Sequence, residues 1–178
     1  LAAGWYATDL PDVDKAFNAT RRPTITVLAA DGSILARTGD VYGRLSRLAD
    51  LPKALPNAVM ATEDRRFYHH FGIDIIGLGR AIVANVRAGR IVQGGSTITQ
   101  QVAKNLFLTP ERTMKRKIQE LMLALWLEHK FSKEQIFTIY LNRVYLGAGT
   151  YGVDAAARKY FARPARQLSV YQAAMLAG

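Results

Sequence analysis

The chain contains no cysteine, which excludes disulfide frameworks and thiolate metal sites. Histidine is scarce, and its spacing does not make a zinc site: His69 and His70 are adjacent, and His129 is remote. No uninterrupted apolar run reaches the length of a membrane span. Internal repeats and low-complexity tracts are also missing. An initiator Met is absent; the start at Leu1-Ala2-Ala3-Gly4 reads as a cut from a longer protein, with room for an anchor helix upstream. Acids are few. Fourteen Asp and Glu face 24 Lys and Arg, a net charge of +10. Such an excess suits an anionic partner: nucleic acid, an acidic membrane face or a phosphorylated substrate.

What is present is ordinary globular material. Hydrophobic residues make up 49% and charged ones 21%, and 178 residues suffice for one well-buried core but not for two comfortable domains. The clearest β signal is Thr24-Ile25-Thr26-Val27-Leu28, a turn at Asp31-Gly32, then Ile34-Leu35-Ala36, which predicts a hairpin. From Ala58 onward the pattern is helical. Ile75, Leu78, Ile82 and Val86 share one face, as do Ile98, Val102 and Leu106. A helix is predicted to start at Pro110 with Thr109 as its cap, to turn Met114, Ile118, Leu121 and Leu125 inward, and to end near Phe131. Ser132 then caps a helix through Ile136, Ile139 and Tyr140. Gly147 to Thr150 breaks it, and two short helices follow around Ala155 and Ala173. The division expected is a segment 1–50 bearing the hairpin and a helical domain 51–178.

The positive charge is concentrated. Between Ile75 and Gln119 stand Arg80, Arg87, Arg90, Lys104, Arg112, Lys115, Arg116 and Lys117, against the single acid Glu111. Such a run is often only a solvated helix face. Here, however, it surrounds Gln93-Gly94-Gly95-Ser96-Thr97-Ile98-Thr99-Gln100-Gln101, a small polar segment leading into a helix. The N–H groups and hydroxyls of such a helix start can hold a phosphate or pyrophosphate. The segment is not a P-loop, because the Lys-Ser/Thr pair is missing.

Two carboxylates stand out. Glu63 and Asp64 open the stretch through Gly72, and read blandly they are a helix N-terminus matched to its dipole. Glu120 follows Arg116 and Lys117, and its bland reading is an i, i+4 pair with Arg116. In order along the chain, four stretches resemble the motifs of the family 51 glycosyltransferases, which polymerise peptidoglycan. The first is Glu63-Asp64-Arg65-Arg66-Phe67-Tyr68-His69-His70-Phe71-Gly72, and the second Gly95-Ser96-Thr97-Ile98-Thr99-Gln100-Gln101. The third is Arg116-Lys117-Ile118-Gln119-Glu120, and the fourth runs from Lys133 to Asn142, with Phe137 where Leu is common. The resemblance covers about Leu51 to Gly178. Gln172 stands where the family often has Glu, and the family's domain continues past Gly178. The hairpin resembles the linker of bifunctional class A penicillin-binding proteins, which would place a transpeptidase domain in the parent chain.

The resemblance implies a mainly α, lysozyme-like domain of two lobes with a short N-terminal β-hairpin. It implies inverting transfer between lipid II molecules and the growing glycan strand, at the periplasmic side of the cell inner membrane, with sensitivity to moenomycin-type inhibitors and no nucleic-acid partner. An alcohol is a poor nucleophile at neutral pH, so a positioned carboxylate must take its proton; the family pattern gives that role to Glu63. Lys104, Arg112, Arg116 and Lys117 are the candidates to stabilise the departing pyrophosphate, with Ser96 and Thr97 hydrogen-bonding its oxygens and Gln100 positioning sugar or packing. Glu120 matches the second essential carboxylate, orienting these cations or binding Mg2+ or Mn2+. Ile75, Ile76, Leu78, Ile82, Val83 and Val86, flanked by Arg80, Arg87 and Arg90, could lie in lipid headgroups or be core. Two rivals stay open: a muramidase-type hydrolase, which has no use for a pyrophosphate cluster, and a basic module binding nucleic acid or membrane.

Overall fold

The computed structural model describes residues 25–38, 41–108 and 113–178. The expected hairpin is present: β1 (Ile25–Leu28) pairs antiparallel with β2 (Ile34–Thr38). Its turn is closed by the Ser33 N–H donating to the Asp31 carboxylate at 2.9 Å and by Gly32 N–H donating to Ala29 O. Then β3 (Val41–Tyr42) pairs in parallel with β4 (Thr150–Tyr151), and the Tyr42 and Tyr151 rings stack at 5.3 Å. Ser46 N–H donates to Asn142 Oδ1, and Asn142 Nδ2 donates back to Ser46 O, each at 2.8 Å. Residues 41–50 are therefore tied into the helical domain.

Seven α-helices are present among the described residues. They are α1 (Ala54–Glu63), α2 (Ile75–Ala88), α3 (Ile98–Phe107), α4 (Met114–Lys130), α5 (Lys133–Arg143), α6 (Val153–Phe161) and α7 (Val170–Ala177). Side-chain caps account for several of their starts. Thr97 and Thr113 accept backbone N–H groups from Gln100 and Arg116; Ser132 with Gln135, and Ser169 with Gln172, form capping boxes. Gln172 thus has a structural use. The cap of α4 is Thr113; the start expected at Thr109 and Pro110 lies outside the described residues.

Helix α3 is central, packing on α4 and α5, while α1 packs on α7. Leu55, Phe67, Ile98, Leu123, Leu127, Ile136, Phe137 and Leu141 are fully buried between these helices. Phe67 meets Phe137 at 5.4 Å between ring centroids. The mainly helical fold with a short N-terminal strand pair agrees with the lysozyme-like expectation.

One expected face is corrected, and one left open between membrane and core is exposed. On α4 the buried positions are Glu120, Leu123, Ala124, Leu127 and Glu128, whereas Met114 is 78% exposed and Leu125 40%. The helix is turned so that two glutamates lie inside, each satisfied by a lysine. On α2 the aliphatic stripe is not core: Ile75, Ile76, Leu78, Ile82, Val83 and Val86 are all exposed. Only Gly77 and Ala81 of that helix are buried, so α2 and the loop after it form a lobe held to the rest by few contacts.

Candidate active site

Glu63 is the last residue of α1. The bland reading of a helix N-terminus therefore fails, because the negative end of the helix dipole meets this carboxylate. Glu63 is exposed between two clefts. One, of about 280 Å3, is polar and is bordered by Arg65, Arg80 and the loop Gly94 to Thr97. The other, about 650 Å3, is an apolar groove carrying Tyr140, Tyr145 and Tyr160. Glu63 and Gln101 border both, and the Gln101 side-chain amide donates to Glu63 Oε2 at 2.7 Å. Burial, with a further contribution from the nearby Glu63 charge, pushes the Tyr140 phenol far above its ordinary range. It stays protonated at any physiological pH.

Asp64, next to it, is buried. Its carboxylate accepts from His70 Nε2 at 2.9 Å and from the Ile98 N–H at 3.1 Å. One residue thus ties the segment after α1 to the first turn of α3, placing Glu63 beside Gln101. The adjacent acids have different work: Asp64 builds and Glu63 is presented.

The loop into α3 is held from both sides. Asn85 on α2 accepts from Val92 and Gln93 N–H at 2.8 and 2.9 Å. Gly95 packs against Leu78 of α2, so the loop lies close on the helix. Thr97, 2% exposed, donates its hydroxyl to Gly72 O at 2.6 Å. Ser96, by contrast, is exposed and accepts from Lys117 Nζ at 3.2 Å.

Lys117 is the hub of the polar cluster. Its ammonium also donates to Gln100 Oε1 at 3.3 Å and to Glu120 Oε1 at 2.5 Å. Glu120 is 3% exposed, so its partner is Lys117 at i, i+3 and not Arg116, as the bland reading expected. A buried carboxylate needs such a partner. A resident metal is poorly provided for. Among the described residues no three His, Cys, Asp or Glu gather to hold one, and an ammonium already occupies Glu120.

A family model described as Transglycosylase matches residues 31–178. The chain belongs to the transglycosylase family. It is similar to penicillin-binding protein 1A of Aquifex aeolicus (strain VF5), 58% identical over 127 residues, which are 71% of this chain and 18% of that protein. Penicillin-binding protein 1A of Neisseria gonorrhoeae is 43% identical over 169 residues, 95% of this chain and 21% of that protein. The protein of the same name from Neisseria flavescens is 41% identical over 169 residues. The chain spans about a fifth of the length of these curated relatives. At family level the chain is a peptidoglycan glycosyltransferase domain.

Within this transglycosylase frame, the residues singled out by sequence fall into three groups. Glu63 stands at the junction of the clefts. Ser96, Gln100, Lys117 and Glu120 form one hydrogen-bonded cluster; Lys104 lies on α3 one turn beyond Gln100 and Gln101, and Arg116 lies beside Lys117. Thr97 is an internal cap, and Arg112 lies outside the described residues. Sequence reasoning passed over Gln101 as the partner of Glu63, and over Glu128. The latter is buried, accepting from Thr99 Oγ1 and from Lys133 Nζ at 2.7 Å. Lys133 also lies 4.4 Å over the Phe67 ring. An acid set between Leu127 and His129 in the sequence gave no local sign of that network.

Proposed function

We propose that the chain polymerises lipid II, transferring the donor MurNAc C1 to the acceptor GlcNAc 4-hydroxyl with inversion and release of undecaprenyl pyrophosphate. The observation that carries this reading is one accessible carboxylate, Glu63, at the junction of two clefts, one of them bordered by Arg65, Arg80 and Ser96, whose hydroxyl accepts from Lys117. Two sugars can then meet at one base. The polar cleft, which shares Ser96 with the Lys117 cluster, takes the donor; the groove with its three tyrosines takes the acceptor.

Glu63 accepts the proton of the attacking hydroxyl while the C1–O bond to the pyrophosphate breaks. The departing oxygens gain negative charge, which Lys117, Lys104, Arg112 and Arg116 stabilise, with Ser96 as a hydroxyl donor. Thr97 and Gln100 act from within, fixing the loop and the Lys117 ammonium. Glu120 orients Lys117. A Mg2+ or Mn2+ ion, if bound, would neutralise pyrophosphate charge, with Glu120 the carboxylate that would hold it.

The exposed aliphatics of α2, with Arg80, Arg87 and Arg90 beside them, support seating of this lobe in an anionic membrane face. That position suits a lipid-linked substrate and the periplasmic side of the inner membrane. No described helix is long and apolar enough to cross a membrane. Attachment of this kind would be peripheral, alongside a transpeptidase domain and an anchor in the parent protein.

The test is incubation with lipid II in detergent, following glycan chains on gels, with and without a moenomycin-type inhibitor. Polymer that the inhibitor suppresses supports the transferase. Cleavage of preformed glycan without polymer from lipid II would overturn it in favour of the hydrolase.

A further inference from the structure

Four arginines line a cleft of about 500 Å3 that shares no bordering residue with either Glu63 cleft. Arg44 and Arg47 come from the loop after β3, Arg158 from α6, and Arg166 from the short turn Ala165–Gln167. None of them belongs to the basic stretch assigned to pyrophosphate. Lipid-linked donor chemistry leaves them unexplained.

The walls are built, not draped. Asp154, 5% exposed, holds all three segments together. Its Oδ2 accepts from the Arg44 N–H at 2.9 Å and from Arg158 Nε at 2.8 Å, and its Oδ1 from the Ala165 N–H at 3.0 Å. A Cβ on Gly43 would lie 2.3 Å from the Ala155 backbone nitrogen. The loop therefore seats directly on the start of α6, a closeness that only glycine permits.

Charge in the cleft is unbalanced. Asp154 is engaged by Arg158, and Asp50 is held by Arg47 through two hydrogen bonds of 2.8 and 3.1 Å. That leaves the exposed Arg44 guanidinium without an acid of its own among the described residues, and the exposed Arg166 only a share of Asp50, which is already hydrogen-bonded to Arg47. Four arginines against two aspartates give the cleft a net charge of +2. A guanidinium presents planar paired donors that fit phosphate oxygens two at a time. A phosphate group carries close to two negative charges at neutral pH, which matches the excess; a single carboxylate would leave one arginine uncompensated.

The geometry points to a second anion site, in which Arg44 and Arg166, backed by Arg47 and Arg158, hold a phosphate group on the face of α6 turned away from the Glu63 clefts. The phosphate could be free in solution or carried on a lipid headgroup, and the chemistry at the arginines is the same. Residues of α6 border both this cleft (Asp154, Arg158) and the acceptor groove (Val153, Tyr160). Occupancy would thus be felt next to the site of reaction.

The test is amide NMR of the whole chain titrated with inorganic phosphate, with sodium chloride at matched ionic strength as control. Saturable shifts at Arg44, Ser46 and Ala165 are expected, with a midpoint at least tenfold weaker in Arg44→Ala/Arg166→Ala. The Arg44→Lys/Arg166→Lys pair should fall between, because it keeps the charge and loses the fork. Unchanged amide shifts at α3 and α5 in these variants establish that they fold. A second arm measures binding of wild type and the Ala pair to phosphatidate and to neutral phosphatidylcholine vesicles. A loss in the Ala pair confined to phosphatidate supports the site with a headgroup source; loss only with free phosphate supports it with a soluble one. Chloride reproducing the shifts, or the Ala pair titrating like wild type in both arms, would overturn the proposal.

Discussion

The side-chain amide of Gln101, on α3, donates a 2.7 Å hydrogen bond to the carboxylate of Glu63, at the end of α1. Among the described residues it is the side-chain hydrogen bond that aims the proposed base, and it joins the first motif to the second. The amide fixes which carboxylate oxygen is left free to receive a proton. Gln101→Leu removes the donor and keeps the bulk, and the expected loss is about tenfold in turnover, in line with one hydrogen bond to a charged group. Steady-state rates on lipid II check this; a rise in KM with kcat unchanged would assign Gln101 to substrate binding.

Lys117 and Glu120 are asymmetric partners. Lys117→Ala leaves a carboxylate that is 3% exposed without its ammonium, and a destabilisation of about 1–3 kcal/mol is expected. Glu120→Gln leaves the lysine able to reach solvent and Ser96, and should lower melting temperature less while still depressing polymerisation. Thermal unfolding of both variants decides the order.

Asp154 carries a pH dependence whose sign is fixed. Burial pushes its pKa up, but the hydrogen bond from Arg158 and those from the Ala165 and Arg44 N–H groups outweigh it, and the net shift is downward. A carboxylate with a lowered folded-state pKa contributes stability above its unfolded value, near 3.8, and loses it as pH falls through the folded one. Asp154→Asn should therefore be less stable than wild type at pH 7 by about 1–3 kcal/mol. The difference should shrink below about pH 4. Denaturant unfolding at pH 7 and pH 3 measures it.

The aliphatic residues of α2 test the membrane reading. Ile75 is 77% and Val86 75% exposed, so Ile75→Ser/Val86→Ser should leave stability within about 1 kcal/mol of wild type. Binding to phosphatidylglycerol vesicles should fall several-fold. A large drop in melting temperature would mean that the stripe is core after all.

How much of this was legible in sequence depends on whether the information is local. The first three motifs single out Glu63, Ser96, Lys117 and Glu120 from neighbours a few residues apart, and the fold brings the last three into one hydrogen-bonded cluster. The hairpin turn at Asp31-Gly32 and the cap at Ser132 are local in the same way. The buried face of α4 was not legible. Its apolar residues trace one stripe, yet the helix turns Glu120 and Glu128 inward, because Lys117 and Lys133 accompany them and Thr99 comes from another helix. The stripe on α2 misleads in the opposite direction: periodicity says that a face is apolar, not that protein covers it. Asp64 was paired with Glu63 by adjacency, and only the fold separates their work, through His70 and the N–H of Ile98.

The measurement that bears most directly on the central claim is the rate of glycan polymerisation from lipid II by Glu63→Gln, set beside wild type and beside a melting curve of each. Glu63 is exposed at the end of its helix, so the amide should fold normally. The expected result is an unchanged melting temperature with polymerisation reduced about 10²- to 10⁴-fold, the usual worth of a positioned general base. Polymer formed by Glu63→Gln at close to the wild-type rate would contradict the assignment, and another group at the junction of the two clefts would have to take the proton.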